Sequence, residues 1–341
     1  MDLPVQPPLD PMLAKAAGVL PAGGQWSYEP KWDGFRTLVF RDGDELMLQS
    51  RTGKDLGRYF PELIAALTAR TASRCVLDGE IVVPRKIGGR TRLDWESLSQ
   101  RIHPAASRVE LLAAATPAHF IGFDALADGD TSLVTEPFSV RRSALKNLVQ
   151  QGESCHVTRN TTDSGQATEW LDTFEGAGLD GVIAKRLDGH YLPGKRDMVK
   201  IKHARDADCV AMGYRIHKSG RGLGSILLGL YQDGELQMVG GAVSFTAADR
   251  LALLAELEPL REGERDGEAS RWNSAADKRW IALRPEKVCE VAYDQIEGRR
   301  FRHAVKFIRW RPDRDPAGCT FDQLEVADSY DLHDVLESAD V

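Results

Sequence analysis

Apolar and polar residues alternate near the start of the chain. Trp26, Tyr28, Pro30 and Trp32 fall on one side and Ser27, Glu29, Lys31 and Asp33 on the other, the period-two pattern of a strand. Gly34 then allows a turn or the close approach of a ligand, and residues 36–40 resume an extended run. A hairpin partner follows at 45–51 through Asp42-Gly43-Asp44. The pattern predicts a helix at 59–69 and apolar strands at 75–83 and 118–127. A helix is expected at 140–151, capped by Ser139 and closed by Gly152, and another at about 164–177 with Gly178 as its C-cap. Short strands are expected at 180–185 and 198–202. The Pro-rich residues before Gly24 predict a wrapping segment without much regular structure.

Beyond about residue 203 the texture changes. Strands at 210–215, 224–231, 236–243 and 287–294 are separated by Gly-rich turns and interrupted by one helix at 247–257 with Thr246 as its N-cap. That arrangement predicts a small barrel of the OB type. The fold class is therefore α+β: antiparallel sheets with flanking helices at 1–203, then an OB barrel at 207–341, with the boundary at 203–207.

The chain has 341 residues, room for two domains with sizeable cores, and its 42% hydrophobic and 28% charged composition is that of a globular protein. Five cysteines without CxxC spacing argue against a disulfide framework and a zinc site, and fit a reducing compartment. No leader pattern or membrane-length apolar run is present, so a cytoplasmic protein with no membrane partner is expected. The net charge of −7 hides two basic islands. Residues 185–221 hold ten Lys/Arg against four acids, and residues 298–314 hold seven against one. Such islands suit specific contacts with an anionic polymer, or two solvated faces.

Polar inserts interrupt the strands of the first domain: Ser50-Arg51, Asp78-Gly79-Glu80, Asp180-Gly181 and Lys200-Ile201-Lys202, besides Lys31-Trp32-Asp33-Gly34-Phe35-Arg36. Each alone could be a strand's wet side. Charges within buried strands cost free energy unless paired or bound to a ligand or metal, and five inserts in one domain point to a shared anionic site. No G-x-x-x-x-G-K-[ST] occurs, which excludes a P-loop enzyme, and the eight histidines show no metal-ligand spacing.

In this order the inserts resemble the motifs of the covalent nucleotidyltransferases, which comprise ATP-dependent DNA ligases, RNA ligases and mRNA capping enzymes. Lys31 to Arg36 looks like motif I, Ser50-Arg51 like motif Ia and Asp78-Gly79-Glu80 like motif III. Residues 120–126 with Phe123-Asp124 look like motif IIIa, 180–185 like motif IV, Lys200-Ile201-Lys202 like motif V and Arg311-Pro312-Asp313-Arg314 like motif VI. The likeness spans nearly the whole chain and is greatest to the bacterial ligase C group, which implies a minimal ATP-dependent DNA ligase for repair.

The resemblance implies roles. Lys31 would attack the α-phosphorus of ATP, Glu29 would accept from the adenine amino group, and Phe123 would stack on the purine. Arg36 and Glu80 would hold the ribose and nearby phosphate environment, and Arg51 would contact AMP and then the 5′-phosphate of a nick. Arg196, Lys200 and Lys202 would contact phosphate. Glu80 and Asp180 would lie near Mg²⁺ or Mn²⁺, and Arg311, Asp313 and Arg314 would serve the β,γ-phosphates from an OB domain that swings about 203–207. An amine attacks only when neutral, and nearby cations such as Lys200 and Lys202 favour that form.

Two positions depart from the family pattern. Asp180 stands where glutamate is usual, and Arg314 where lysine is usual. The implied partners are nicked duplex DNA and a repair polymerase, with the enzyme a monomer. Alternatives are an RNA ligase, a capping-type nucleotidyltransferase, or a non-catalytic OB-containing nucleic-acid binder.

Overall fold

A computed structural model of the chain describes residues 1–266, 279–324 and 328–336. The chain divides into two compact units, Met1–Lys202 with Ala327–Val341, and His203–Val326.

Two main sheets organise the first unit, beside a two-stranded ribbon of Pro84–Ile87 and Arg90–Leu93. Strands Cys155–Val157, His119–Asp128, Arg74–Val82, Phe35–Asp42 and Glu45–Ser50 lie side by side in one, with Thr131–Ser132 paired onto His119–Asp128. Strands Leu13–Ala16, Arg196–Ile201, Val182–Arg186 and Trp26–Pro30 make the other. Pairing is antiparallel except at one edge of each sheet, where Cys155–Val157 and Leu13–Ala16 run parallel to their neighbours. The strand at Leu13–Ala16 corrects the expectation of an irregular N-terminal wrap. Its backbone pairs with Arg196–Ile201, and Leu13 N–H donates to Lys195 O at 2.7 Å.

The Trp26–Pro30 strand ends one residue before Lys31, and its polar face does not meet water. Ser27, Tyr28, Glu29 and Pro30 are all buried, because antiparallel Val182–Arg186 lies alongside and other elements cover both faces. Gly34 serves chain packing rather than ligand approach. A Cβ there would stand 2.0 Å from the carbonyl oxygen of Ile81, so only glycine lets the two backbones pass.

The helix expected at 140–151 behind Ser139 is instead Phe138–Leu148, entered from Pro137 without a side-chain cap. It stops at Val149 because Gln150 N–H donates to Arg70 O and Ala72 N–H to Leu148 O, which draw the chain into an extended bridge. Ser164–Thr173 forms as an α-helix and tightens into a 3₁₀ turn, Phe174–Ala177, before Gly178 at φ +90°.

In the second unit, five strands close on themselves. Leu223–Gln232, Glu235–Val243, Val305–Trp310, Val288–Tyr293 and Arg205–Ile216 pair in that order, and Arg205–Ile216 pairs back onto Leu223–Gln232. Register shifts after Ala211 and Arg215 bend the long Arg205–Ile216 strand, which then also carries Arg279–Leu283 and beyond it Arg261–Asp266. Helix Ala247–Leu257 opens with a capping box between Thr246 and Asp249. A second domain running to residue 341 does not match this division. Leu332 and Val335 bury in the core of the first unit with Trp32 and Trp170, and the Tyr330 ring packs at a tilt against Phe174, centre to centre 5.4 Å.

Candidate active site

Lys31 is held by its own backbone. Its N–H donates to Gly181 O at 2.8 Å and its C=O accepts from Asp180 N–H at 2.9 Å, so the Asp180-Gly181 turn clamps the residue just past its strand. Gly181 is at φ +115°, and a Cβ there would meet Ile201 O at 2.1 Å. The Lys31 ammonium reaches Asp180 Oδ2 at 2.5 Å, and Lys202 Nζ reaches the same oxygen at 2.7 Å.

In front of Lys31 lies a cavity of about 310 Å³. Of the expected site residues, Glu29, Lys31, Arg36, Arg51, Glu80, Phe123, Arg196 and Lys200 line it. Asp180 and Lys202 do not line it; Asp180 is the ion-pair partner of Lys31, and Lys202 pairs with the same Asp180 oxygen. Arg311, Asp313 and Arg314 belong to the second unit, where Arg311 pairs with Asp313 at 2.8 Å and Asp208 at 3.1 Å, and Arg314 pairs with Asp208 at 2.8 Å.

Three buried partners were absent from the expected site. Asp78, fully buried, accepts from Arg36 Nε and Nη2 at 2.6 Å each and from the Tyr191 hydroxyl at 2.6 Å. That fork holds the guanidinium 4.4 Å from the Phe123 ring centre, so Arg36 supports the aromatic platform while bordering the cavity. Lys185 is the third, ion-paired to Glu29 Oε2 at 2.8 Å. Asp78 and Lys185 sit inside the inserts already singled out. Tyr191 carried no sequence signal, since it contacts the site only through the fold.

Burial raises the pKa of two glutamates of the site. It pushes the Glu29 carboxyl up, with Lys185 and Arg142 pulling it back. Oε1 of Glu29 is buried without a hydrogen-bond partner. Such an orphaned acceptor beside an aromatic ring fits a ligand that presents an amino donor and a flat face. Lys200 is pushed down by burial and by the nearby ammonium groups of Lys31 and Lys202.

The Glu80 carboxyl, which accepts from Gly34 N–H at 3.2 Å, is pushed from 4.5 up to about 7 by burial, against the pull of Arg36 and Lys31. Between those values the folded protein keeps a proton that the unfolded chain has released. Stability is therefore expected to fall as pH rises through that window, and Glu80→Gln to flatten this part of the curve in denaturant titrations.

A divalent ion fits this site only in part. Among the described residues no three acidic, histidine or cysteine side chains gather to hold one, and Asp180 already meets two ammonium groups. Glu80 and Asp180 could share an ion only if phosphate oxygens and water completed its shell. The remaining wall, aromatic on one side and cationic at Arg196 and Lys200, suits a purine nucleotide with its phosphates toward Lys31.

Comparison with known proteins agrees with this chemistry. Residues 11–202 match the ATP dependent DNA ligase domain, and residues 219–314 match the ATP dependent DNA ligase C terminal region. The chain is 74% identical to DNA ligase C1 of Mycolicibacterium smegmatis over 99% of both chains. It is 51% identical to DNA ligase C of Mycobacterium tuberculosis over 98% of this chain and 99% of that one. A solved Lig E DNA ligase, 16% identical, superimposes with a TM-score of 0.58 over 88% of this chain and 99% of that one, a likeness of fold. Its two matched regions and near-full-length relatives show that the chain belongs to the ATP-dependent DNA ligase family, with both ligase regions present and ATP as its nucleotide.

Proposed function

We propose that the enzyme seals nicks in duplex DNA through a covalent adenylate on Lys31. One observation carries the reading. The Lys31 amine borders a cavity whose wall also holds an orphaned buried acceptor, an aromatic ring and the cations Arg51, Arg196 and Lys200.

Adenine would stack on Phe123 and donate its amino group to Glu29. Arg36 and Glu80 would border the ribose and the phosphate next to it. Arg51, Arg196, Lys200 and Lys202 would spread positive charge around the α-phosphate. Lys31 Nζ would bond the α-phosphorus as the bond to the bridging oxygen breaks and pyrophosphate leaves. Asp180 Oδ2, 2.5 Å from Nζ, is placed to take the amine's proton. AMP would then pass to the 5′-phosphate at the nick, and the 3′-hydroxyl would displace it. Glu80 and Asp180 would hold Mg²⁺ or Mn²⁺, which would supply further charge neutralisation when bound.

Arg311 and Arg314 would contribute to the departing phosphates only after exchanging Asp208 for phosphate oxygens. The reading also has the enzyme acting as a cytoplasmic monomer in DNA repair, alongside a repair polymerase. Its test compares singly nicked duplexes of DNA and of RNA, with ATP or GTP as nucleotide. Sealing of DNA with ATP at least about tenfold faster than any other combination is expected. Equal or faster sealing of RNA, or use of GTP, would overturn it.

A further inference from the structure

Glu29 can read an amino group only if one carboxylate oxygen is left open and aimed, and Lys185 is what arranges this. The two residues lie on one face of adjacent strands. Glu29 pairs with Ile183 and Lys185 with Ser27, which sets Lys185 diagonally across from Glu29. Lys185 Nζ sits 2.8 Å from Glu29 Oε2 and donates to the Phe123 backbone oxygen at 2.8 Å. It is also 4.9 Å from the centre of the Phe123 ring and 4.5 Å from that of Phe138. One ammonium group therefore ties the acceptor Glu29 to the backbone of the platform residue.

The remaining charge near it is already committed. Asp124, 3.9 Å from Lys185 Nζ, is forked by Arg141 at 2.7 and 3.1 Å, and Arg142 donates to Thr158 O. All three side chains are buried, so none is free to swing into Lys185's place.

We infer that Lys185 is a positioning residue for base selection: by occupying Oε2 of Glu29 and the carbonyl of Phe123 together, it leaves Oε1 as the single open acceptor at a fixed distance from the stacking ring. The inference rests on the reading of Glu29 as the adenine acceptor. It adds that selectivity for a 6-amino purine over a 6-oxo purine depends on a lysine that borders the same cavity and acts through Glu29. Burial alone favours a protonated Glu29, which would donate and so accept a 6-oxo base; the ammonium of Lys185 opposes that. A carboxylate acceptor with no donor opposite it is left unpaired, which is how such a site rejects the wrong base.

The test uses the full-length enzyme and α-labelled ATP or inosine triphosphate, which carries a carbonyl in place of the amino group. Rates of covalent labelling are followed against nucleotide concentration for wild type, Lys185→Met, Lys185→Arg and Glu29→Gln. Lys185→Met is expected to lower the preference for ATP over inosine triphosphate at least about tenfold, with KM for ATP rising more than the limiting rate falls. A loss of packing alone would move both nucleotides together. Should Lys185→Met not fold, Lys185→Arg carries the test. Its planar fork can engage both carboxylate oxygens, so it is expected to lower the same preference while keeping the charge. An unchanged preference in the folded Lys185 variant, with a lowered one in Glu29→Gln, would overturn the inference alone. An unchanged preference in Glu29→Gln as well would overturn the adenine reading beneath it.

Discussion

Lys31→Ala is expected to seal no nick from ATP, a loss of at least about four orders of magnitude, yet to close a nick whose 5′-phosphate already carries AMP. The two halves of the result separate nucleophile from scaffold. The alanine variant removes the only bond Lys31 would make to phosphorus, but its backbone contacts to Asp180 and Gly181 do not involve the side chain. Asp180 and Lys202 keep each other neutralised, so the site behind position 31 is not left with a lone buried charge. Rates on ordinary and pre-adenylated nicked duplexes, measured side by side, check both halves. Loss of both activities would show Lys31 acting mainly as a structural ion-pair partner.

The largest expected effect on stability belongs to Asp78→Ala. This carboxylate is fully buried and is the shared acceptor of the Arg36 fork and the Tyr191 hydroxyl. Removing it leaves a guanidinium and a hydroxyl without their partner, a change that costs about 3–5 kcal/mol when a buried pair is broken from one side. Asp78→Asn, which keeps one acceptor and the shape, is expected to lose less. Urea denaturation of the two variants against wild type measures the difference. The platform should suffer too, because Arg36 packs against Phe123, so KM for ATP is expected to rise even where the alanine variant remains folded.

How far the sequence led depended on the range of the interaction. Alternation placed Glu29 and Lys31 on one face of a strand, but a period of two says nothing about what covers that face. Only the register of Val182–Arg186 against Trp26–Pro30 brings Lys185 to Glu29, from which it is 156 positions away in the chain. Asp78 and Glu80 were visible as acids within an apolar run; the register sets Arg36 directly across from Glu80, yet its forked partner is Asp78, one diagonal step away.

Elements whose polarity matched no simple pattern escaped notice. Arg261–Asp266 is almost wholly charged and lies exposed at a sheet edge, and Val305–Trp310 drew attention for its charge rather than its alternation. The helices Trp95–Gln100 and Ala106–Ala115 were likewise not anticipated. Where local chemistry sufficed, as with Thr246 and helix Ala247–Leu257, the expected and observed bounds coincide.

The claim beneath all of this is that one amine, that of Lys31, carries AMP. Incubating the enzyme with ATP and Mg²⁺, digesting it and weighing the peptides by mass spectrometry tests it most directly. The account predicts a single added adenylate, on the peptide containing Lys31 and bonded to its Nζ. An adenylate on another residue, or none on any peptide of an enzyme that still seals nicks with ATP, would contradict it.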